Sequence, residues 1–270
     1  MSFDGTPIFY TRVNPETENR AVLLIVHGMG EHGARYQSLA ESIAVLGVEV
    51  WRPDLRGFGR SGGRMGFCRS FSDYQKDLEA LYRHVLHTHP GKAIFILGHS
   101  MGGLISAYTL ARSSVVRPKG VIFSSPLFAV AVKVPCWQKF LGLTASVVCP
   151  SFTQDNRVNP DDLTHDAAMR EAHRKDPLIH SKISARLYKE ILSATRERSA
   201  MAARIHCPVL LLQAGEDRIV SSDASLLFYD ELSSSNREKE LYQGFYHEIL
   251  NETDRAVVYG RIAQWLVKQF

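Results

Sequence analysis

Short apolar runs rich in β-branched residues alternate with amphipathic stretches along most of the chain. The runs are short and bounded by turn-forming residues, so they predict strands. The predicted strands are residues 21–26, 48–52, 93–97, 120–124, 208–213 and 239–242. The stretches between them repeat apolar residues with a helical period, which predicts helices at residues 36–46, 71–86, 102–111, 223–232 and 254–267. Such alternation is typical of an α/β fold with a mostly parallel central sheet flanked by helices.

The alternation stops between residues 126 and 205. No strand pattern stands out there, and Pro, Asp, His and Arg become frequent. We interpret residues 126–205 as a helical cap inserted into an α/β core made of residues 1–125 and 206–270. The segment before residue 20 has the pattern of a polar-edged hairpin at the sheet margin.

The composition fits one domain with an insertion. A chain of 270 residues that is 45% hydrophobic can bury enough surface to fold without metals or disulfides. The 32 basic and 28 acidic residues are spread along the chain without a basic run. The charge pattern therefore gives no indication of a nucleic-acid-binding protein.

The four cysteines lack the paired spacing of a metal site or of a disulfide scaffold. They are Cys68, Cys136, Cys149 and Cys207. Reduced thiols in an intracellular protein are the expectation, with a bridge between Cys136 and Cys149 as the alternative. The first residues have neither the basic nor the apolar region of a signal peptide. These features predict a cytoplasmic protein.

A G-x-S-x-G motif joins a predicted strand to a predicted helix. The strand at residues 93–97 runs into Gly98-His99-Ser100-Met101-Gly102-Gly103. Glycines at this point allow the strand and the helix to approach closely, and they hold the serine on a strained turn with its hydroxyl projecting. The pattern predicts that Ser100 is a nucleophile.

The first predicted strand ends in the H-G-x-G loop His27-Gly28-Met29-Gly30. Loops of this kind supply an oxyanion donor, so the backbone N–H groups of Met29 and Met101 are the predicted oxyanion hole.

The same loop also fits a dinucleotide-binding fingerprint. It reads Gly28-x-Gly30-x-x-Gly33, and Asp54 follows the next strand about 20 residues on. A dinucleotide-dependent enzyme is therefore the rival interpretation, although it leaves the Ser100 motif without a role. The second glycine-rich stretch, residues 56–63, lacks the Gly-Lys-Ser/Thr of a phosphate loop, and we interpret it as a turn in which Asp54 pairs with Arg56.

An acid and a histidine follow the nucleophile in the order that this strand–turn–helix motif requires. Asp217 lies just past the strand at 208–213, and His247 lies just past the strand at 239–242. In this arrangement His247 accepts the Ser100 proton, while Asp217 orients the imidazole and stabilises its protonated form. Glu216 is the alternative acid.

These motifs together resemble the monoacylglycerol lipase and lysophospholipase branch of the α/β-hydrolases, from about residue 4 to the C-terminus. The passages that carry the resemblance are residues 27–32 with Arg35-Tyr36, residues 54–61, residues 98–103, and residues 211–213 leading to Asp217-Arg218. The resemblance implies an α/β-hydrolase fold, a mobile cap, no cofactor, and the triad Ser100, Asp217 and His247 cleaving a lipid ester.

The resemblance also implies a head-group site. Glu31 and Arg35 match positions that approach the glycerol head group in the animal monoacylglycerol lipases. Those enzymes carry another histidine three residues after the catalytic one, whereas this chain has Leu250. Because this histidine is absent at position 250, lysophospholipids and other small acyl esters or thioesters are alternative substrates.

The predicted cap begins with an apolar stretch at residues 127–148 that contains Trp137. It is too short and too interrupted to span a bilayer. Packing over the active site as an acyl-chain tunnel is one interpretation, and resting on a membrane surface with Trp137 at the interface is the other. Two further classes stay open: a ligand receptor on a hydrolase scaffold, and the dinucleotide-dependent enzyme.

Overall fold

The computed structural model describes residues 1–131, 144, 146–156 and 158–270 of the chain. The strands of this part are β1 (Tyr10–Val13), β2 (Ala21–Val26), β3 (Val48–Pro53), β4 (Ala93–His99), β5 (Gly120–Ser124), β6 (Thr153–Asp155), β7 (Lys182–Ser184), β8 (Val209–Ala214) and β9 (Arg237–Tyr242). Seven of them form the main sheet, in the order β1-β3-β2-β4-β5-β8-β9. All neighbouring pairs are parallel except β1 with β3, which confirms the predicted mostly parallel sheet.

Helices cover both faces of this sheet. Those of the described residues are α1 (Gln37–Ala44), α2 (Ser72–Thr88), α3 (Met101–Arg112), α4 (Ala167–Lys175), α5 (Ala185–Arg196), α6 (Arg198–Ala202), α7 (Ser222–Asp230) and α8 (Arg255–Gln269). Because successive side chains of a strand point to opposite faces, Val22 and Leu24 of β2 join the core with α2, α3 and α7, whereas Leu23 and Ile25 join the core with α1 and α8. Every residue of β2 is buried.

The prediction of a hairpin before residue 20 is wrong. A single strand, β1, lies at the sheet edge and pairs antiparallel with β3. Both edges of β2 are already occupied, by β3 and β4, so the free edge of β3 receives β1. Tyr10 of β1 stacks on Trp51 of β3, with ring centroids 4.8 Å apart.

The inserted segment lies between β5 and β8, where the cap is predicted. Its described residues form the helices α4, α5 and α6 and also a two-stranded antiparallel sheet of β6 and β7. The sequence did not reveal these strands because three residues are too few to show alternation. Most of the apolar stretch 127–148, with Trp137 and Cys136, lies outside the described residues. Cys68, Cys149 and Cys207 are free thiols.

Two glycines let α3 approach the sheet. A Cβ added at Gly102 would lie 2.0 Å from the carbonyl oxygen of Val26, and one at Gly98 would lie 2.6 Å from the carbonyl oxygen of Gly102. Neither distance is possible for a real side chain, so the start of α3 contacts the end of β2 backbone to backbone. This contact positions the turn between β4 and α3.

The contact can be tested by comparing two helical glycines. We expect Gly102→Ala to lower the free energy of unfolding by about 1–3 kcal/mol or more, because the new methyl group overlaps the Val26 carbonyl. Gly260→Ala is the matched control: nothing lies within 4 Å of its added Cβ in α8, so alanine should stabilise the protein by about 0.5–1 kcal/mol. Urea denaturation measures both changes, and equal effects at the two positions would contradict the close approach.

Candidate active site

The loops that follow β2, β4, β8 and β9 meet at the carboxyl edge of the sheet, where ligands bind in open α/β folds. Ser100 follows β4 directly and has a backbone φ of 51° and ψ of −119°, a strained conformation for a residue with a Cβ. Its N–H donates to the carbonyl of Ser124 over 3.0 Å, and its own carbonyl accepts from the N–H of Leu127 over 2.9 Å. These bonds to the end of β5, the strand beside β4, and to the segment that follows it hold the turn in place.

A buried carboxylate holds the imidazole of His247. The Nδ1 atom of His247 lies 2.8 Å from Oδ2 of Asp217, and both side chains are almost fully buried. The other oxygen of Asp217 accepts from the N–H groups of Ile219 and Val220, each over 2.9 Å. Asp217 is therefore the acid that contacts His247. The backbone N–H of the alternative acid, Glu216, donates to the carbonyl of Phe245.

The pair shifts both pKa values. Burial by itself would lower the pKa of His247, but the charge and the hydrogen bond of Asp217 outweigh it and raise that pKa above its ordinary value. Burial would likewise raise the pKa of Asp217, yet His247 and the N–H of Val220 lower it. Since a carboxylate only accepts hydrogen bonds, Nδ1 of His247 carries a proton and Nε2 is the basic atom.

His247 lies beside the serine turn. Its ring centroid is 4.9 Å from that of His99, the residue before Ser100. In the described part of the chain the His247 ring bonds to Asp217 and makes no hydrogen bond to the Ser100 hydroxyl. Such bonds are often long without substrate and tighten in the substrate complex.

The loop after β2 packs against the serine. A Cβ added at Gly28 would lie 2.8 Å from Oε1 of Glu31 and 3.2 Å from the Cβ of Ser100, both closer than side chains normally pack, so glycine favours this close approach. Met29 follows Gly28, and Met101 follows Ser100. Within the residues that the structure describes, the N–H groups of Met29 and Met101 donate to no backbone hydrogen bond, which leaves both available to a ligand.

Glu31 and Arg35 form a buried ion pair with Glu248, a residue that the sequence analysis did not single out. Arg35 donates to Oε2 of Glu31 over 2.9 Å and makes two bonds to Glu248, of 2.6 and 2.8 Å. Oε1 of Glu31 accepts from the N–H of Gly28 over 2.6 Å and from the Tyr36 hydroxyl over 2.7 Å. The predicted head-group residues are thus already paired with one another and with the protein.

The ion pair keeps all three groups charged. Burial opposes ionisation in each, but Arg35 lowers the pKa of Glu31 and of Glu248 below the ordinary range, and the two carboxylates raise the pKa of Arg35. The adjacency of Glu248 to His247 is the one sequence signal that could have drawn attention to it, since Arg35 lies far away along the chain.

Two other residues near this corner were not assigned a place from the sequence. His173 of α4 is partly buried, and its pKa is lowered first by burial and next by the nearby guanidinium of Arg35. Its Nδ1 atom is buried and has no hydrogen-bond partner among the described residues. Leu250 is buried in the hydrophobic core with Trp265.

The dinucleotide interpretation does not fit the loop geometry. The N–H of Gly28 donates to Glu31, and the N–H of Gly33 donates to Oδ1 of Asp54 over 2.8 Å. Carboxylates thus occupy backbone donors that a phosphate would need. Asp54 also accepts from the N–H of Arg60, so its predicted pairing with Arg56 is wrong.

Arg56 instead pairs with Asp77 of α2, through two hydrogen bonds of 2.5 and 2.6 Å, and with Asp4. The described residues contain no group of three His, Cys, Asp or Glu side chains that could hold a metal ion.

The Asp217–His247 pair can be tested directly. We expect Asp217→Asn to lower the pKa of the His247 ring, because burial then acts without the opposing carboxylate charge. Glu216→Gln is the matched control, since it neutralises the neighbouring carboxylate but leaves the hydrogen bond intact. Histidine-ring NMR titration measures both; a shift of the same size in Glu216→Gln would contradict the observed pairing.

The comparisons with known proteins show the family of this chain. A family model described as serine aminopeptidase, S33, matches residues 17–254. The chain is 33% identical to phospholipase YtpA of Bacillus subtilis over 88% of this chain and 92% of the relative. It is 29% identical to a monoacylglycerol lipase of Mycolicibacterium smegmatis over 97% of this chain and 94% of the relative.

Solved structures show the same fold. The monoacylglycerol lipase of Paleococcus ferrophilus superposes with a TM-score of 0.88 at 27% identity. The match covers 97% of this chain and 99% of the lipase chain. The chain also matches 27% of the length of a longer abhydrolase domain-containing protein of Dictyostelium discoideum, at 30% identity. The predicted family resemblance is confirmed: the chain belongs to the serine aminopeptidase S33 family of the α/β-hydrolase superfamily.

Proposed function

We propose that this protein is a serine hydrolase that cleaves the ester bond of monoacylglycerols, releasing a fatty acid and glycerol. The observation that carries the proposal is the buried Asp217–His247 pair beside Ser100, which occupies a strained turn at the carboxyl edge of the sheet. Similarity over nearly the whole chain to a monoacylglycerol lipase supports the substrate class.

The proposed reaction proceeds through an acyl-enzyme. The Ser100 hydroxyl oxygen attacks the ester carbonyl while Nε2 of His247 takes its proton, and the carbonyl oxygen becomes an oxyanion. Collapse of this intermediate breaks the ester C–O bond, and His247 returns the proton to the departing glycerol oxygen. A water molecule then repeats the sequence on the acyl-enzyme, giving the fatty acid and restoring the Ser100 hydroxyl.

The N–H groups of Met29 and Met101 are the proposed donors to the oxyanion. They are free of backbone hydrogen bonds in the described chain, and they flank Ser100, with Met29 following the glycine that packs on its Cβ. Removal of one such donor typically costs a factor of about 10²–10³ in turnover. Asp217 keeps the imidazole in the required tautomer and stabilises its charged form.

Residues 126–205 are the proposed cap over this site. Its described residues contact the loops that carry the site: Asp176 accepts a hydrogen bond from His32 over 2.8 Å, and the carbonyl of Leu163 accepts from the N–H of Glu248 over 2.7 Å. His180 stacks on Phe58 with ring centroids 4.9 Å apart. The cap thus rests on the loops after β2, β3 and β9.

Glu31 and Arg35 remain the proposed head-group contacts. Because their charged atoms are paired with each other and with Glu248, a glycerol hydroxyl has to share these groups rather than bind free ones. A lysophospholipid is the alternative substrate, supported by the similarity to a phospholipase.

We expect Ser100→Ala to lose at least about 10³-fold of the turnover of a medium-chain monoacylglycerol, since loss of a triad nucleophile removes the covalent route. Ser125→Ala is the matched control, because Ser125 is the other non-glycine residue of the described chain with a positive φ, of 40°. It should fold and retain activity. Fatty-acid release, with the matching lysophospholipid run alongside, measures the effect and ranks the two substrates.

More than about 1% residual activity in Ser100→Ala would contradict the assignment of the nucleophile. Release of one equivalent of product without turnover would indicate a ligand receptor. Turnover of peptides or thioesters, with neither lipid cleaved, would replace the substrate class while leaving the site assignment in place.

We also propose that the cap side of the molecule rests on a lipid surface. The predicted anchor, Trp137, lies outside the described residues, but Val147, Val148 and Phe152 nearby are 72%, 79% and 56% exposed. Arg64 donates to the carbonyl of Ser151 over 3.2 Å, which places a basic residue beside this apolar patch. Anionic lipid attracts such a combination.

Membrane contact in this form would be peripheral. None of the helices in the described part of the chain has the length and hydropathy needed to cross a bilayer.

We expect Val148→Asp to weaken co-sedimentation with anionic liposomes by about tenfold, because a charge replaces an apolar side chain at the lipid boundary. Val257→Asp, at a 57% exposed valine of α8, makes the same change elsewhere on the surface and should bind like the unmodified protein. Equal binding of all three proteins would exclude this patch as the contact.

A further inference from the structure

One arginine connects the two loops that carry opposite sides of the candidate active site. Arg35 bonds to Glu31 in the loop after β2 and to both oxygens of Glu248 in the loop after β9. We call these three residues the charged bridge. Its side chains are only 5–6% exposed, so solvent screens it little.

Each end of the charged bridge is attached to a part of the proposed machinery. Glu31 accepts the N–H of Gly28 over 2.6 Å, and Gly28 precedes Met29, the proposed oxyanion donor. Glu248 directly follows His247, and the Asn251 side chain donates to it over 2.9 Å. A shift of either carboxylate would therefore move the oxyanion donor relative to the base.

The charged bridge also carries a net negative charge, since two carboxylates face one guanidinium. The charged and titratable groups around His247 come from every neighbouring loop: Asp217 after β8, Glu31 after β2, Glu248 in its own loop and His99 after β4. Arg35 lies between the two glutamates, and His173 of α4 faces the bridge. After Asp217, Glu248 and then Glu31 contribute most to raising the pKa of His247.

We propose that the charged bridge is a positioning device, in which Glu248 fixes the loop of His247 against the oxyanion loop and stabilises the imidazolium that forms during the reaction. This inference rests on the proposed function, because it assigns the bridge a part in that catalytic cycle. The bidentate geometry of Arg35 suits the task, because two parallel bonds fix orientation as well as distance.

The decisive variant is Glu248→Gln, which keeps the shape of the side chain and removes its charge. We expect kcat for p-nitrophenyl butyrate to fall by about 10- to 100-fold, as misplacement of reacting groups typically does, with KM nearly unchanged. Loss of the negative charge favours neutral imidazole, so the acid limb of kcat/KM should move to lower pH. A merely structural glutamate would not move this limb.

Glu49→Gln is the matched control. Glu49 is also buried and also pairs with an arginine and a histidine, Arg12 and His89, but it lies at the start of β3, on the opposite edge of the sheet. Its variant should leave the acid limb in place. If Glu248→Gln does not fold, Glu31→Gln provides the same test, because its carboxylate also raises the pKa of His247.

Histidine-ring NMR titration separates this inference from the proposed function, because it needs no turnover. A lowered pKa of His247 in Glu248→Gln supports the charge effect even if the natural substrate is not a monoacylglycerol. An unchanged pKa and an unchanged acid limb would overturn the proposal, and so would a rise in KM alone, which would indicate that Glu248 contributes only to substrate binding.

Discussion

The backbone contact between the start of α3 and the end of β2 is the constraint on which the rest of the site depends. A side chain at Gly102 would overlap the carbonyls of Val26 and His27, so the two elements meet closely only because this position has no Cβ. The contact sets Met101 on one side of Ser100 and the loop with Met29 on the other. If the helix stood off by the width of a methyl group, the two N–H groups proposed as oxyanion donors would be displaced relative to each other, and a proposed site of this kind tolerates little displacement.

Much of this arrangement could be predicted from the sequence, for identifiable reasons. Five of the six predicted strands are buried and mostly apolar, and a run that is buried on both faces is easy to recognise. The sixth, β9, is largely polar and partly exposed. Ser100 was identifiable because the motif constrains backbone conformation locally, and its φ of 51° follows from that local requirement. Asp217 was preferred over Glu216 because of its place after the strand and because of the family resemblance; the structure adds the cause, which is that N–H groups of Ile219 and Val220 fix its carboxylate.

The rest depended on contacts between distant parts of the chain. Asp54 and Arg56 are close in sequence but do not pair. Asp54 accepts hydrogen bonds from the N–H groups of Gly33 and Arg60. Arg56 donates to Asp77 in α2. Glu248 became visible as part of the site only when the fold brought it to Arg35, 213 residues away. Charged side chains are generally exposed, so the sequence gives no reason to expect a buried one until its partner is located.

Contacts between distant parts of the chain also determine which groups lie near Leu250, the position at which the animal monoacylglycerol lipases carry a histidine. The short 3₁₀ helix Ile249–Asn251 turns Leu250 into the core with Trp265, and Asn251, one residue later, bonds to Glu248. Asn251 therefore supplies a polar side chain that contacts the ion pair at this corner. An imidazole is still present, but it comes from His173 of α4, whose Nδ1 is buried without a partner in the described chain. If Glu31 and Arg35 contact the head group as proposed, the same corner combines a buried ion pair held by the loops after β2 and β9 with an imidazole from the inserted segment, so the proposed recognition of the alcohol involves both the α/β core and the region proposed as its cap.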